Sequence, residues 1–407
     1  MKEASSKANT MIATCPACGL LCDDVLIENK NNKIKVLTKG CEKAVLFFEQ
    51  PLIDTSPQIN GNPVTLQQAI AHAAKLLKAS EQPLFSGLST DVQGFRALYN
   101  LAQKTNARLQ HMNAQSTARN MKVLQSTGWQ TTTLTEVKNR ADVIVCIGTD
   151  VVSHNPRFFE RIVWPKDAMF VDSQMREVIY IGENLDTKAG TSPNGTPPSL
   201  LACKATDLPE ITLVLRALVA GKKLKVIHVA GIKISDLQAL ADKLKQAKYA
   251  VLAWIAKDLD FPHAELTIQN ITETVAVLNN TTRAAALPLG GSDGDTTANN
   301  ANTWLSGLAL NDEIVEHDLM IWVNSFSPGK QAPKTNLPLI ILGNANIRFA
   351  QTPDVFIPIA TPGLDSSGTL FRVDGAVILP LKKVRENNLP TLADICTLIN
   401  KQLIKSL

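Results

Sequence analysis

The stretch TCPACGLLCDD, residues 14–24, sets Cys15, Cys18 and Cys22 close together, and Cys41 follows in TKGCEKA. Four of the seven cysteines thus fall within residues 15–41. A Cys-x2-Cys-x3-Cys-x18-Cys arrangement suits a soft metal centre: one turn supplies three thiolates and a distant cysteine closes the set. The short gaps are more typical of a cubane iron–sulfur cluster than of tetrahedral zinc, which usually takes two separate Cys-x2-Cys knuckles. A [4Fe–4S] cluster is therefore the first expectation for Cys15, Cys18, Cys22 and Cys41. Zinc is the second, and thiols without metal the third.

The other reactive residue types show no comparable pattern. Cys146 lies in an apolar strand and Cys396 on an apolar helix face, so both read as core thiols. Cys203 sits in or near a loop without a partner motif. His72, His111, His228, His263 and His317 lack metal-ligand spacing. His154, in SHNPRF, reads as a loop histidine bonded to nearby backbone, with a relic of a cofactor cleft as the alternative. No Ser-His-Asp set can be assembled, and no catalytic residue is assigned.

These residues must be positioned by α/β elements. VLIENKNNKIKVL reads as a hairpin turning at Asn29–Asn32, and Cys41 opens a short helix that stops at Pro51. Residues 1–60 are thus a small Cys-rich domain of iron–sulfur type with little core of its own. Thr65 with Gln68 forms a capping box ahead of the helical face Ala69, Ile70, Ala73, Leu76 and Leu77. From there strands and helices alternate, with strands at PLFSGL, RLQHM, DVIVCIG and AMFVDS, which predicts an α/β domain over 61–182. Residues 183–205, rich in Pro, Gly, Thr and Ser, read as a linker loop. A second α/β domain over 206–345 takes KVIHVAG and YAVLAWIA as strands, and 346–407 supply C-terminal strands and a helix that pack back.

Composition excludes several classes. A net charge of +4 over 407 residues, with no long basic run, does not indicate nucleic-acid binding. No run of apolar residues is long enough to span a membrane, and MKEASSKANTMIAT lacks the apolar core of a signal peptide. An odd number of cysteines with four clustered fits a reducing compartment. The expectation is a cytoplasmic protein.

CPACGLLCDDVLIE…GC, VKNRADVIVCIGTDVVSHNPRFFER, FVDSQ and GLDSSGTLFRVDGAVILPL together resemble the B subunits of formylmethanofuran dehydrogenase, of the molybdopterin oxidoreductase superfamily. The resemblance runs from about residue 14 to 385. It implies a formate-dehydrogenase-like fold of doubly wound parallel sheets with a small Cys-rich N-terminal domain. In that family the Cys-rich segment carries a [4Fe–4S] cluster. The cluster serves a tungsten or molybdenum held by two pyranopterin guanine dinucleotides and one cysteine, which has a histidine beside it. Here the matching segment is NAQSTARNMKVLQSTG, with Ser116 at the cysteine position and Thr117 at the histidine position. A hydroxyl is a poor ligand for a soft metal, and threonine titrates far outside the working range of an imidazole.

The rest of that cofactor site departs from the pattern as well. The family's GxNP turn reads GTDV at 148–151, placing Asp150 where nucleotide phosphates would lie. Its VDPRxTxT run reads VDSQMREV at 171–178, which keeps Asp172 but not the arginine and threonines. The loop LGGSDGDTTANNANTW is kept, and the arginine-bearing segment after it is absent. No molybdopterin or tungstopterin is therefore expected.

A related family has no such redox chemistry. It comprises the B subunits of the bacterial formyltransferase/hydrolase complex of methylotrophs. That complex moves formyl from tetrahydromethanopterin to methylofuran and hydrolyses it to formate. The resemblance implies a non-catalytic structural subunit whose partners are hydrolase, transferase and small C-type subunits. Two alternatives stand. One is a redox-active dehydrogenase subunit with [4Fe–4S] and a tungsto- or molybdopterin. The other is a binding role in which Lys122, Lys138, Arg140, Arg157 and Arg161 guide the polyglutamate tail of methylofuran.

Overall fold

A computed structural model describes residues 9–53, 56–310 and 316–405. The chain forms two compact units: Met1–Ala114 with Gly291–Leu407, and Gln115–Gly290. The consecutive division expected from composition is cut differently because strands from both ends of the chain share one sheet.

Unit 1 begins with β1 (Asn9–Ala13), β2 (Val25–Lys30) and β3 (Lys33–Thr38), an antiparallel sheet in that order. Asn31 and Asn32, at φ of 52° and 61°, make the two-residue hairpin turn that asparagine tolerates. α1 (Glu42–Phe48) follows, with Cys41 at its N-cap. β4 (Gln58–Ile59) and β5 (Asn62–Pro63) precede α2 (Leu66–Ala79), whose Thr65/Gln68 capping box is complete. Then come β6 (Pro83–Ser89), α3 (Val92–Thr105) and β7 (Arg108–His111).

Unit 2 holds α4 (Ala114–Ser126, from Gln115 on), α5 (Leu134–Arg140), β8 (Val143–Ile147), β9 (Glu177–Ile181), β10 (Ser199–Leu201), α6 (Leu208–Val219), β11 (His228–Val229), β12 (Ile232–Lys233), α7 (Ile234–Gln246), β13 (Ala250–Ile255), α8 (Glu265–Leu278) and β14 (Ala284–Leu289). Its main sheet, β10-β9-β8-β13-β14, is wholly parallel. Near-continuous apolar strands such as VIVCI and AVLAWI follow from burial on both faces. Leu208, Leu215, Leu237, Leu244 and Ile268 join the same core.

The chain re-enters unit 1 with α9 (Asp295–Ser306), β15 (Leu319–Asn324), β16 (Leu339–Asn344), β17 (Val355–Ile359), β18 (Gly368–Phe371), β19 (Ile378–Leu381) and α10 (Leu392–Lys405). The sheet order is β5-β4-β17-β16-β15-β6-β7, parallel from β17 to β7. α10 packs on α2 and α3 over one face of this sheet. Trp322, Ile341 and Phe356 cluster on the other face.

Two expected strands are corrected. AMFVDS is not a strand: Met169 and Phe170 are 71% and 60% exposed, and Phe170 lies under the Arg140 guanidinium at 4.0 Å. The strand is β9, whose residues after Glu177 are all buried. KVIHVAG supplies only the two residues of β11, and Val226 and Ile227 are exposed. β14 and the β18–β19 hairpin are additions, and RFFERIV forms a π-helical turn over Phe159–Val163.

Candidate functional site

The cysteine loop folds back on itself: the Cys15 N–H donates to the Cys22 carbonyl at 2.8 Å and Leu21 N–H to the Cys18 carbonyl at 3.3 Å. Cys15, Cys18 and Cys22 are buried and Cys41 is half-buried, and none is in a disulfide. Burial pushes the Cys15 thiol well above its ordinary range, and charge on Cys18, Cys22 and Cys41 pushes the same way. Cys18, Cys22 and Cys41 therefore each lie within electrostatic reach of Cys15. Their chemistry suits a metal, yet among the described residues no three or more His, Cys, Asp or Glu converge closely enough to hold one.

Unit 1 itself seats this loop. Gly19 accepts a hydrogen bond from Val373 N–H at 2.8 Å. Gly291, at φ 74°, lies so close that an added Cβ would stand 2.7 Å from the Gly19 Cα. After α1, the Gln50 carbonyl accepts from Arg385 Nη1 at 2.6 Å, and its side-chain oxygen accepts from Asn344 at 2.9 Å. Arg385 also donates to Asp365 at 2.7 Å in a pair only 3% and 2% exposed. Asn29 reaches the Val384 carbonyl at 2.7 Å. Sequence reasoning missed Gln50, Asp365 and Arg385, because no local pattern marks a contact across 335 positions, as between Arg385 and Gln50, or across 20, as between Arg385 and Asp365.

Ser116 and Thr117, both partly buried, occupy the first turn of α4. The helix is fixed within unit 2 by Arg119, which donates to the Ala256 carbonyl at 2.9 Å and pairs with Asp260. Asn120 accepts from the Trp254 indole at 2.9 Å. Asp150, partly buried in the loop leaving β8, accepts from Ser153 N–H at 3.0 Å. Asp172 caps the turn Ser173–Met175 at the amino end of β9, away from the carboxyl end where Asp150 lies. The segment that leaves the carboxyl end of β9 is GENLDT, residues 182–187, acidic and without arginine.

His154 bonds Asp258 at 2.6 Å, not nearby backbone alone. Asn155, fully buried, exchanges two hydrogen bonds with Gly290, at 3.0 and 3.2 Å. Neither partner carries a sequence signal beyond the Asn-Pro turn. Among the candidate cations, Lys138 pairs with Asp167, Arg140 with Glu136 and Arg157 bidentately with Glu160. Cys146, Cys203 and Cys396 are buried, and burial raises the last two to about 12, as core thiols require. No helix among the described residues is long and apolar enough to cross a membrane.

No family model matches the chain. The B subunit of the tungsten-containing formylmethanofuran dehydrogenase 2 of Methanocaldococcus jannaschii is 25% identical over 411 residues, covering 91% of this chain and 92% of that protein. The B subunit of the formyltransferase/hydrolase complex Fhc of Methylorubrum extorquens is 26% identical over 375 residues, 85% of this chain and 98% of that protein. A chain in the crystal structure of the Methylorubrum extorquens formyltransferase/hydrolase complex with methylofuran superposes with a TM-score of 0.71. It is 24% identical and the match covers 86% of this chain and 99% of that one. That likeness establishes the fold.

Proposed function

Because the chain is homologous over most of its length to the B subunits of formylmethanofuran dehydrogenase and of the formyltransferase/hydrolase complex, we propose that it is a non-catalytic subunit of a formyltransferase/hydrolase assembly. That assembly transfers formyl from tetrahydromethanopterin to methylofuran and hydrolyses it to formate. Its transferase, hydrolase and small C-type subunits are the partners, in the cytoplasm. One observation carries the reading: in the segment that the resemblance matches to the redox family's metal-ligating cysteine and histidine, this chain has Ser116 and Thr117, in the first turn of α4. A hydroxyl pair offers a thiolate-bound metal neither a soft ligand nor a proton carrier near neutral pH.

Cys15, Cys18, Cys22 and Cys41 hold a metal in this reading, a [4Fe–4S] cluster first and zinc second, as a staple for the N-terminal segment. Their retention is also what favours the redox alternative. Elemental analysis of the anaerobically purified assembly for iron, zinc, molybdenum and tungsten separates the two. The expected result is iron or zinc with no molybdenum or tungsten, and co-purification with transferase and hydrolase subunits. Stoichiometric tungsten or molybdenum, with dye reduction by formylmethanofuran, would establish the redox role instead. Cys18→Ser is expected to abolish the iron or zinc. The polyglutamate-binding role is weaker, since Lys138, Arg140 and Arg157 already hold carboxylates.

A further inference from the structure

An open parallel sheet takes anionic ligands outside the carboxyl ends of its strands, where the strand order reverses. In unit 2, β9 and β10 extend the sheet on one side of β8, and β13 and β14 on the other, so this point lies between β8 and β13. A phosphate held there needs backbone N–H groups pointing out of the loop that leaves β8.

Those amides are spent inside the loop. Val151 N–H donates to Thr149 Oγ1 at 3.0 Å, and Val152 N–H to the Asp150 carbonyl at 2.8 Å. Ser153 N–H donates to Asp150 Oδ1 at 3.0 Å. His154 and Asn155 N–H donate to the Val151 carbonyl at 3.1 and 2.8 Å. Five consecutive amides are thus satisfied, one of them by a carboxylate. Val151 is fully buried at φ 65°, a costly conformation for a β-branched residue that persists only where its surroundings over-determine it.

The surroundings do so. His154 ties this loop to Asp258 in the loop after β13, and Asn155 ties it to Gly290 after β14. Gly148 N–H donates to the Ile181 carbonyl at 2.8 Å, closing it against β9. Glu183 and Asp186 follow β9, while Asp258 and Asp260, in the loop after β13 with Lys257, are partnered by His154 and Arg119. An anionic dinucleotide finds no free donor among these five amides.

We propose that the crevice is closed from within. Asp150 stands in for the anion, and the His154–Asp258 and Asn155–Gly290 contacts hold the three loops together in place of a bound dinucleotide. This goes beyond the assembly reading: nucleotide binding here would overturn the closure and leave the assembly standing.

Hydrogen exchange of the full chain in its assembly, with and without millimolar guanosine diphosphate, tests it. In the wild-type chain, peptides spanning residues 148–158 are expected to be protected, and the nucleotide to change nothing. Asn155→Ala and Asp258→Ala should each speed exchange there by about tenfold, as expected for losing a hydrogen-bonded contact between the loops. Saturable protection by the nucleotide in the wild-type chain would overturn the closure, as would unchanged exchange in both variants. The nucleotide titration stands alone if a variant fails to fold.

Discussion

The N-terminal cysteine segment and the loop leaving β8 meet the demand of buried polar chemistry in opposite ways. Around Cys15 the ionisable groups oppose one another: burial and three neighbouring thiols all disfavour the charged form. Around Asp150 the groups answer one another, with each amide from Val151 to Asn155 bonded within the loop. The first pattern is one that a bound cation would relieve, as proposed for the four cysteines. The second is what remains when no guest is needed.

The comparison can be broken most forcefully at Arg385. This residue ties the segment after α1 to unit 1, and its loss leaves Asp365 buried without its cationic partner. Arg385→Ala is expected to cost about 3–5 kcal/mol in equilibrium urea unfolding. A much smaller loss would mean that metal, not this pair, holds the cysteine segment in place. Gly291→Ala comes next, because its Cβ would meet the Gly19 Cα at a positive φ. The expected cost is about 1–3 kcal/mol, with a parallel fall in bound iron or zinc. Unchanged metal content would show that the cysteine loop does not depend on this close approach.

A smaller effect is expected from pH. His111 accepts from Asn113 N–H at Nδ1, at 3.0 Å, so its proton sits on Nε2 facing the Asp293 carbonyl at 3.2 Å. Burial, opposed by Asp295 and Asp293, holds its protonation below the ordinary histidine range. A depressed folded value means the contribution is whole above about 6.5 and is lost as pH falls through the folded value. The wild-type chain should therefore lose stability on acidification below that point, and His111→Gln should lose less. Parallel pH profiles would assign the loss elsewhere. Smallest of all is Ser116→Cys, expected within about 0.5 kcal/mol of the wild type and unable to recover tungsten or molybdenum. Stoichiometric uptake would show that the crevice persists and would contradict the closure around Asp150.

Legibility in the sequence follows the range of the interactions. The hairpin turning within Asn29–Asn32, the Thr65/Gln68 box and the apolar face of α2 are readable because turn chemistry, capping and period are local. AMFVDS misleads because its apolar residues resemble a strand. Yet Phe170 finds a cation to cover it, while VIYI a few residues later takes the buried slot. A strand at AMFVDS would bring Asp172 near a cofactor cleft. With the strand at β9 instead, Asp172 stands at the sheet's amino end.

The sequence by itself determined the α/β class, the four-cysteine pattern and the hydroxyls at Ser116 and Thr117, since residue identity and spacing are one-dimensional facts. Tertiary structure alone decided that β6 and β15 lie side by side, that Gln50 meets Arg385, and that Asn155 clasps Gly290. Each is a contact between distant segments whose energy comes from burial and hydrogen-bond geometry. None exists until the sheets have formed.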